Sequence, residues 1–252
     1  MIVRELIQHI DTFAPFSLAE EWDNPGLMAG SYDAEISRIA VCLDAVSEAV
    51  IEAGNMGCNV LVCHHPLIFR PLKRIDTGTD IGRTIHEAIT RNVNIIAAHT
   101  NWDKAPGGVN DTLAALLGLE GVASLGEFGV VGEVHAENTA AFLERVKTSW
   151  ELSRLDFFTR NMPEKISRIA LCGGSGAEFW SDAIRHNADV YITADMKYHE
   201  LTDATRAGLS VALAEHGEME RATIPELARK ISESGIETRI IDVRALTKPV
   251  RI

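Results

Sequence analysis

Cysteine is scarce and unpatterned in this chain. The four thiols, Cys42, Cys58, Cys63 and Cys172, form no close-spaced framework, and three of them lie within or at the end of apolar runs. That excludes a disulfide-stapled fold and leaves buried, reduced thiols and a cytoplasmic setting as the expectation. No stretch approaches the roughly 18–20 apolar residues needed to cross a bilayer. Basic charge is also short. Against 36 Asp and Glu stand 24 Lys and Arg, a net charge of −12, which argues against nucleic acid or an anionic membrane as the main partner. Low-complexity segments and blocks of like charge are lacking. The N-terminal MIVRELIQHIDTFAPF interrupts its apolar positions with Arg4, Glu5, Gln8 and His9, so it reads as an amphipathic helix and not as a signal peptide. What remains is a globular composition, 46% apolar and 24% charged over 252 residues, long enough for one large domain or two small ones with a sizeable core.

Against this plain background, three apolar runs end in unusual chemistry. NVLVCHHPLIF closes on the pair His64-His65. VNIIAAHTNWD and LSVALAEHGEME each place a histidine four residues before an acid, His99 with Asp103 and His216 with Glu220. Borderline divalent metals take imidazole nitrogen and carboxylate oxygen together. Four histidines and two acids at strand ends are ligands enough for two metal ions.

The chain also repeats itself. ISRIAVC at 36–42 returns as ISRIALC at 166–172, and the register holds at an offset of 130 for thirty positions, nine of them identical. Each copy reads as strand, helix (about 47–57 and 177–187), strand, then a second helix (80–92 and 199–208) and a third strand. His99 aligns with His216 and Asp103 with Glu220 at an offset of 117. The difference, 130 − 117 = 13 residues, is the loop RPLKRIDTGTDIG at 70–82, which only the first copy carries. The expected fold is therefore α/β. It comprises two related halves with mostly parallel sheets, 1–126 and 127–252, the segment 36–103 recurring in 166–220. Polar groups gather at the strand carboxyl ends between the halves, where open α/β sheets bind ligands. Around 120–160 we expect a strand in GVVGEVHAEN, a short helix from about Asn138 and a strand in LSRLDFFT. A C-terminal helix comes next, with Pro225 in its first turn and Gly235 near its end, and then a final strand.

The ligand candidates rest on local chemistry. Adjacent residues on a strand face opposite ways, so His64 and His65 reach one site only if the strand stops there, which Pro66 favours. Asp103 is expected in a strand-end loop. Gly217 is expected to turn the backbone after His216, so that Glu220 swings into the site or opens the next helix. His199, in ADMKYHE, is a candidate proton donor or substrate contact, with a surface role as the alternative. Asp195 aligns with His65 and is a candidate outer acceptor. Cys63 reads as a core thiol and less well as a soft ligand, while His9 and His86 read as surface or packing residues on helices. The Gly-Gly-Ser-Gly loop at 173–176 is either an anion site at a helix N-terminus or a tight turn.

The motifs EEWDNPGL at 20–27, VCHHPLIF at 62–69, HTNWD at 99–103, APGGVNDTLAALLGL at 105–119, CGGSG at 172–176, DVYITADMKYHE at 189–200 and EHGEME at 215–220 together span most of the chain. As a set they resemble the dinuclear-metal, ring-forming proteins called GTP cyclohydrolase 1 type 2 homologues, the Ngg-interacting-factor-like family. The resemblance implies metal ligands at His64, His65, Asp103, His216 and Glu220, with His99 a neighbour of the metals. It also implies a homohexamer with inward-facing sites. This chain is too short for the extra mid-chain domain of longer relatives. It departs from the family pattern in ITAD at 192–195, in Glu215 before the late histidine, and in GVVG at 129–132. Two functions fit these readings. One is a metal-dependent hydrolase of GTP cyclohydrolase type, acting on a small molecule with two zinc, iron or manganese ions. The other is a non-catalytic metal-binding scaffold that stores or delivers metal.

Overall fold

The computed structural model describes residues 1–243, and the last residues of the expected second half, 244–252, lie outside them. The chain opens with α1 (Val3–Phe13), which buries Val3, Leu6 and Ile10 along one face. Glu5 closes its first turn by accepting the Ile2 backbone N–H at 2.8 Å. Next come β1 (Gly26–Ala29), β2 (Ile39–Asp44), α2 (Ser47–Asn55), β3 (Val60–His65), α3 (Asp80–Thr90), β4 (Asn94–Ala97) and the short α4 (Thr100–Lys104). Strands β2, β3 and β4 run parallel, with β1 antiparallel on the outer side of β4. Their continuous apolar runs fit a sheet covered on both faces. Strand β3 stops at His65, immediately before Pro66, as the sequence implied.

The second unit begins with α5 (Val109–Leu116), β5 (Glu120–Leu125) and β6 (Gly129–Asn138). It continues through α6 (Thr139–Ser149), β7 (Leu155–Phe158) and β8 (Lys165–Leu171). Asn138 caps α6 by accepting the Ala140 and Ala141 N–H groups. After a 3-10 turn at Ala177–Phe179 come α7 (Trp180–Arg185), β9 (Val190–Thr193), α8 (Tyr198–Arg206), β10 (Ser210–Ala214) and α9 (His216–Arg221). The sheet order is β5-β6-β8-β9-β10-β7. Only β8, β9 and β10 are parallel to one another, and the flanking strands are antiparallel. This sheet is thus more mixed than the sequence pattern suggested. β5 is silent in the sequence because five of its six residues are exposed, so it carries no apolar alternation.

The internal repeat is visible as register. Ile39 pairs with Val60 in the first sheet and Ile169 with Val190 in the second, the same offset of 130 on both strands. The units are nevertheless not contiguous halves. They are Met1–Ala105 joined by the chain from Ile224 onward, and Pro106–Thr223. The C-terminal α10 (Ile224–Ser232) buries Ile224, Leu227, Ala228 and Ile231, and β11 (Thr238–Ile240) adds to the first sheet beside β2. The expected halves, 1–126 and 127–252, are contiguous, because strand pairing between residues about 200 positions apart leaves no local trace in the sequence.

Candidate metal centre

The first cluster forms at the carboxyl edge of the first sheet. Parallel register sets Asp44 beside His65, and the Asp44 Oδ1 accepts from His65 Nδ1 at 2.7 Å. The backbone carbonyl of Ala98 accepts from His64 Nδ1 at 2.9 Å. Asp23 Oδ1 lies 2.8 Å from His99 Nδ1, and the same carboxylate takes the Thr100 N–H and hydroxyl. Burial would raise the Asp23 pKa, but His99 and Thr100 outweigh it and hold the group at about 2, so it is a carboxylate and an acceptor only. A carbonyl or carboxylate has no proton to give, so in all three rings Nδ1 carries a hydrogen and Nε2 is the nitrogen left to face a metal. This is the outer-shell pattern of metal-binding histidines. One ring nitrogen from each of His64, His65 and His99 lies within 4.8 Å of the others. Asp103 Oδ1 stands 3.6 Å from His64 Nε2.

Asp103 sits not in a loop, as expected, but within α4. The Trp102 and Asp103 N–H groups donate to the His99 carbonyl at 2.7 and 2.9 Å and close one short helix, and Asn101 ties it down, its Oδ1 accepting the His99 N–H at 2.9 Å and its amide donating to Ala14.

The second cluster lies in the other unit. His216 and Glu220 share α9, one turn apart on one face, with Nε2 3.1 Å from Glu220 Oε2. Gly217 is part of this helix and makes no sharp turn. The helix is held by Glu215, whose side chain caps it by accepting the Glu218 N–H at 2.6 Å. Glu215 is one of the residues that departs from the family pattern, and capping gives it a structural role. Asp195, at φ +50, meets His216 Nδ1 at 2.6 Å, so the outer acceptor expected at Asp195 is present. Burial pulls the His216 pKa down, but Glu220 and then Asp195 outweigh it and raise the ring to about 9. Without a metal, one proton bridges His216 and Glu220. A divalent cation on Nε2 would replace it.

The glycine loop serves this second cluster directly. Gly174 has φ +62, and a Cβ there would lie 2.3 Å from Glu220 Oε1 and 3.3 Å from the His216 ring. Backbone groups of the loop are committed inward, Gly173 N–H to Asn110 and Gly176 N–H to Thr193. The loop leads into a 3-10 turn and a six-residue helix, so the anion-site reading gives way to one of close approach.

The donor set of the two clusters, imidazoles and carboxylates with oriented outer acceptors, fits a borderline divalent metal. Cys63 does not join it. Burial, then Asp44, pushes its thiol up to about 12, and it donates to the Ile96 carbonyl within the core. His199 is exposed on the first turn of α8, its ring edge-on to Tyr198 at 5.3 Å. No grouping of possible metal donors among the described residues includes it. Sequence reasoning missed Asp44, Asp23 and the role of Gly174. The available signals were the position of Asp23 inside EEWDNPGL and of Gly174 inside CGGSG.

Residues 1–249 match the Duf34/NIF3 (NGG1p interacting factor 3) family. The chain belongs to this family. Among relatives, a Lactococcus lactis protein named GTP cyclohydrolase 1 type 2 homolog is 33% identical, with 99% of this chain and 98% of that one covered. A Clostridium perfringens protein of the same name is 35% identical, with 92% of each covered. A Helicobacter pylori protein named GTP cyclohydrolase 1 type 2 is 32% identical over 87% of each. The fold matches a solved Bacillus cereus protein related to NIF3 at a TM-score of 0.93 and 23% identity, covering 100% of this chain and 99% of that one. A solved Staphylococcus aureus protein matches at 0.91 and 26%, again over 100% and 99%. Among the described residues no helix is long and apolar enough to cross a membrane.

Proposed function

We propose that this family member is a dinuclear metal-dependent hydrolase of GTP cyclohydrolase type. His64, His65, Asp103, His216 and Glu220 would hold two zinc, iron or manganese ions. His99 would stand beside the metals. The observation that carries the reading is the common orientation of four histidines, each with Nδ1 tied to an oxygen acceptor. Such pairing costs side-chain freedom and has its clearest use in presenting Nε2 to a metal. Two bound divalent ions supply Lewis acidity and an acidified water near neutral pH. Asp44, Asp23, Asp195 and the Ala98 carbonyl keep the imidazoles aimed, and Gly174 leaves room for the His216–Glu220 pair. The names of the relatives support cyclohydrolase chemistry on a small molecule, a purine nucleotide above all. His199 is the proposed proton carrier, and the homohexamer and cytoplasmic setting belong to the same proposal.

The test is turnover of GTP and simple phosphoesters by metal-loaded protein, set against a His64→Ala, Glu220→Ala variant. Metal-dependent hydrolysis lost in the variant supports the reading. Bound metal with no turnover on a broad panel supports the second reading, a metal-holding scaffold, which the exposed place of His199 against Tyr198 favours. Sedimentation at six times the chain mass would support the ring.

A further inference from the structure

Two large aromatic side chains stand open beside the first histidine cluster. Trp22 is 57% exposed and Phe69 43% exposed, and they lie together as one patch and not as scattered single residues. Their centroids lie 5.7 Å apart at 57°, and each stands 6.3 Å from the His99 ring and close to perpendicular to it. The three rings therefore meet edge to face around His99, leaving much of the Trp22 and Phe69 surface uncovered. The segment is pinned and not merely loose. Glu20 pairs with Lys104 and its N–H reaches Thr100 Oγ1 at 3.0 Å. Asp23 is fixed by His99 and Thr100, and the Asn24 amide donates to the Ile68 carbonyl at 2.6 Å. Trp22 is thus held from both sides, and the 20–24 segment is tied to the 66–69 segment that carries Phe69.

The chain leaving Phe69 has a charge unlike the rest of the protein. Within five residues come Arg70, Lys73 and Arg74, all exposed, in a molecule of net charge −12. Among the described residues none of the three forms an ion pair or side-chain hydrogen bond. They open the loop at 70–82 that the second copy of the repeat lacks, so this feature belongs to one cluster only.

We propose that Trp22 and Phe69 form a stacking seat for the planar heteroaromatic ring of an anionic ligand, a nucleotide being the simplest, whose charged group is met by Arg70, Lys73 and Arg74. The proposal deepens the metal-hydrolase reading and rests on it for what then happens to the ligand. Aromatic faces accept any flat π-system with little regard to its edge groups. The unpaired guanidinium and ammonium groups that follow Phe69 along the chain supply the phosphate contact. His99, at the junction of the rings and hydrogen-bonded to Asp23, places the ring edge beside the metal donors.

The experiment is calorimetric titration of freshly purified protein with guanosine 5′-monophosphate, guanosine and ribose 5-phosphate, with metal content measured on the same sample. Guanosine monophosphate should bind more tightly than either fragment. Trp22→Ala should weaken it and guanosine by about tenfold, leave ribose 5-phosphate unchanged, and be rescued in large part by Trp22→Phe. Arg70→Ala with Arg74→Ala should weaken the two phosphate compounds, spare guanosine and flatten the salt dependence. Absent binding of the nucleotide, or unchanged affinity in Trp22→Ala, overturns the seat. If Trp22→Ala instead lowers the sedimenting mass at unchanged nucleotide affinity, the rings are a contact between copies of the chain. Metal present without nucleotide binding sinks the seat and spares the metal reading. Nucleotide binding without metal does the reverse.

Discussion

Asp195 takes the Nδ1 hydrogen of His216 at 2.6 Å, and it does so from the position where the first copy of the repeat carries His65. In that first copy the acceptor for His65 is Asp44, at 2.7 Å. The place of Asp44 in the second copy is Gly174, where any side chain would strike Glu220. The two units therefore solve one problem, aiming an imidazole, with the acid and the histidine drawn from different positions of the repeat.

Replacing Asp195 by Asn should disturb the aim of His216 without disturbing the fold, because Asp195 is exposed. Metal affinity at the His216–Glu220 side should fall about 10–100-fold, the usual cost of losing an outer-shell acceptor. Competition titration against a chromophoric chelator reads this directly. An unchanged affinity would mean that Asp195 does not orient the ring.

Gly174→Ala should be costly for two reasons. The new Cβ would sit 2.3 Å from Glu220 Oε1, and the residue would keep a φ of +62. We expect a loss of about 1–3 kcal/mol in urea unfolding, together with loss of metal from this side. Gly118→Ala, at φ +65 but with nothing within 4 Å of the new Cβ, is the control for backbone conformation alone and should keep its metal. Equal effects in both variants would refute the close-approach account.

The pH dependence of the metal-free protein is set by His216. Its folded value of about 9 lies above the ordinary 6.5, so the charged ring stabilises the fold fully below pH 6.5. That contribution is lost as pH rises through 9. With its partial exposure discounted, it amounts to about 2 kcal/mol. Chelator-treated protein should accordingly lose thermal stability between pH 6.5 and 9. Metal affinity should rise over the same interval, since the ion must displace that proton. Slopes of the same sign in the two experiments would contradict the shared proton.

Asp23 offers the acid counterpart. Held at about 2 against an ordinary 3.8, it contributes stability above pH 3.8 that is lost as pH falls toward 2. Asp23→Asn keeps one acceptor oxygen but removes the charge that His99 and Thr100 meet, at a cost of about 1–3 kcal/mol. Denaturant unfolding at pH 7 and pH 3 should show a smaller difference between the two proteins at the lower pH. A constant difference would place the effect elsewhere.

Much of this was legible from the residues alone, and the rest was hidden for physical reasons. His64 and His65 were readable because Pro66 cannot donate to a ladder and so favours a strand end, and the repeat was readable because its parallel strands are buried on both faces. Asn138 announced the start of α6 as a cap. By contrast, Gly217 suggested a turn, yet Glu215 caps a helix that runs through it, and the same helix brings Glu220 onto the face of His216. Asp44 and Asp23 were invisible as partners because they meet their histidines only through strand register and loop return. β11 was expected as a strand, but its neighbour β2 lies at the far end of the chain.

The central claim is that these oriented histidines and acids hold two divalent ions per chain. Elemental analysis of freshly purified protein tests it most directly, alongside His64→Ala and His216→Ala. The account predicts about two ions per wild-type chain and a clear loss in each variant. Metal well below two per chain in the wild type, or content indifferent to both substitutions, would contradict it.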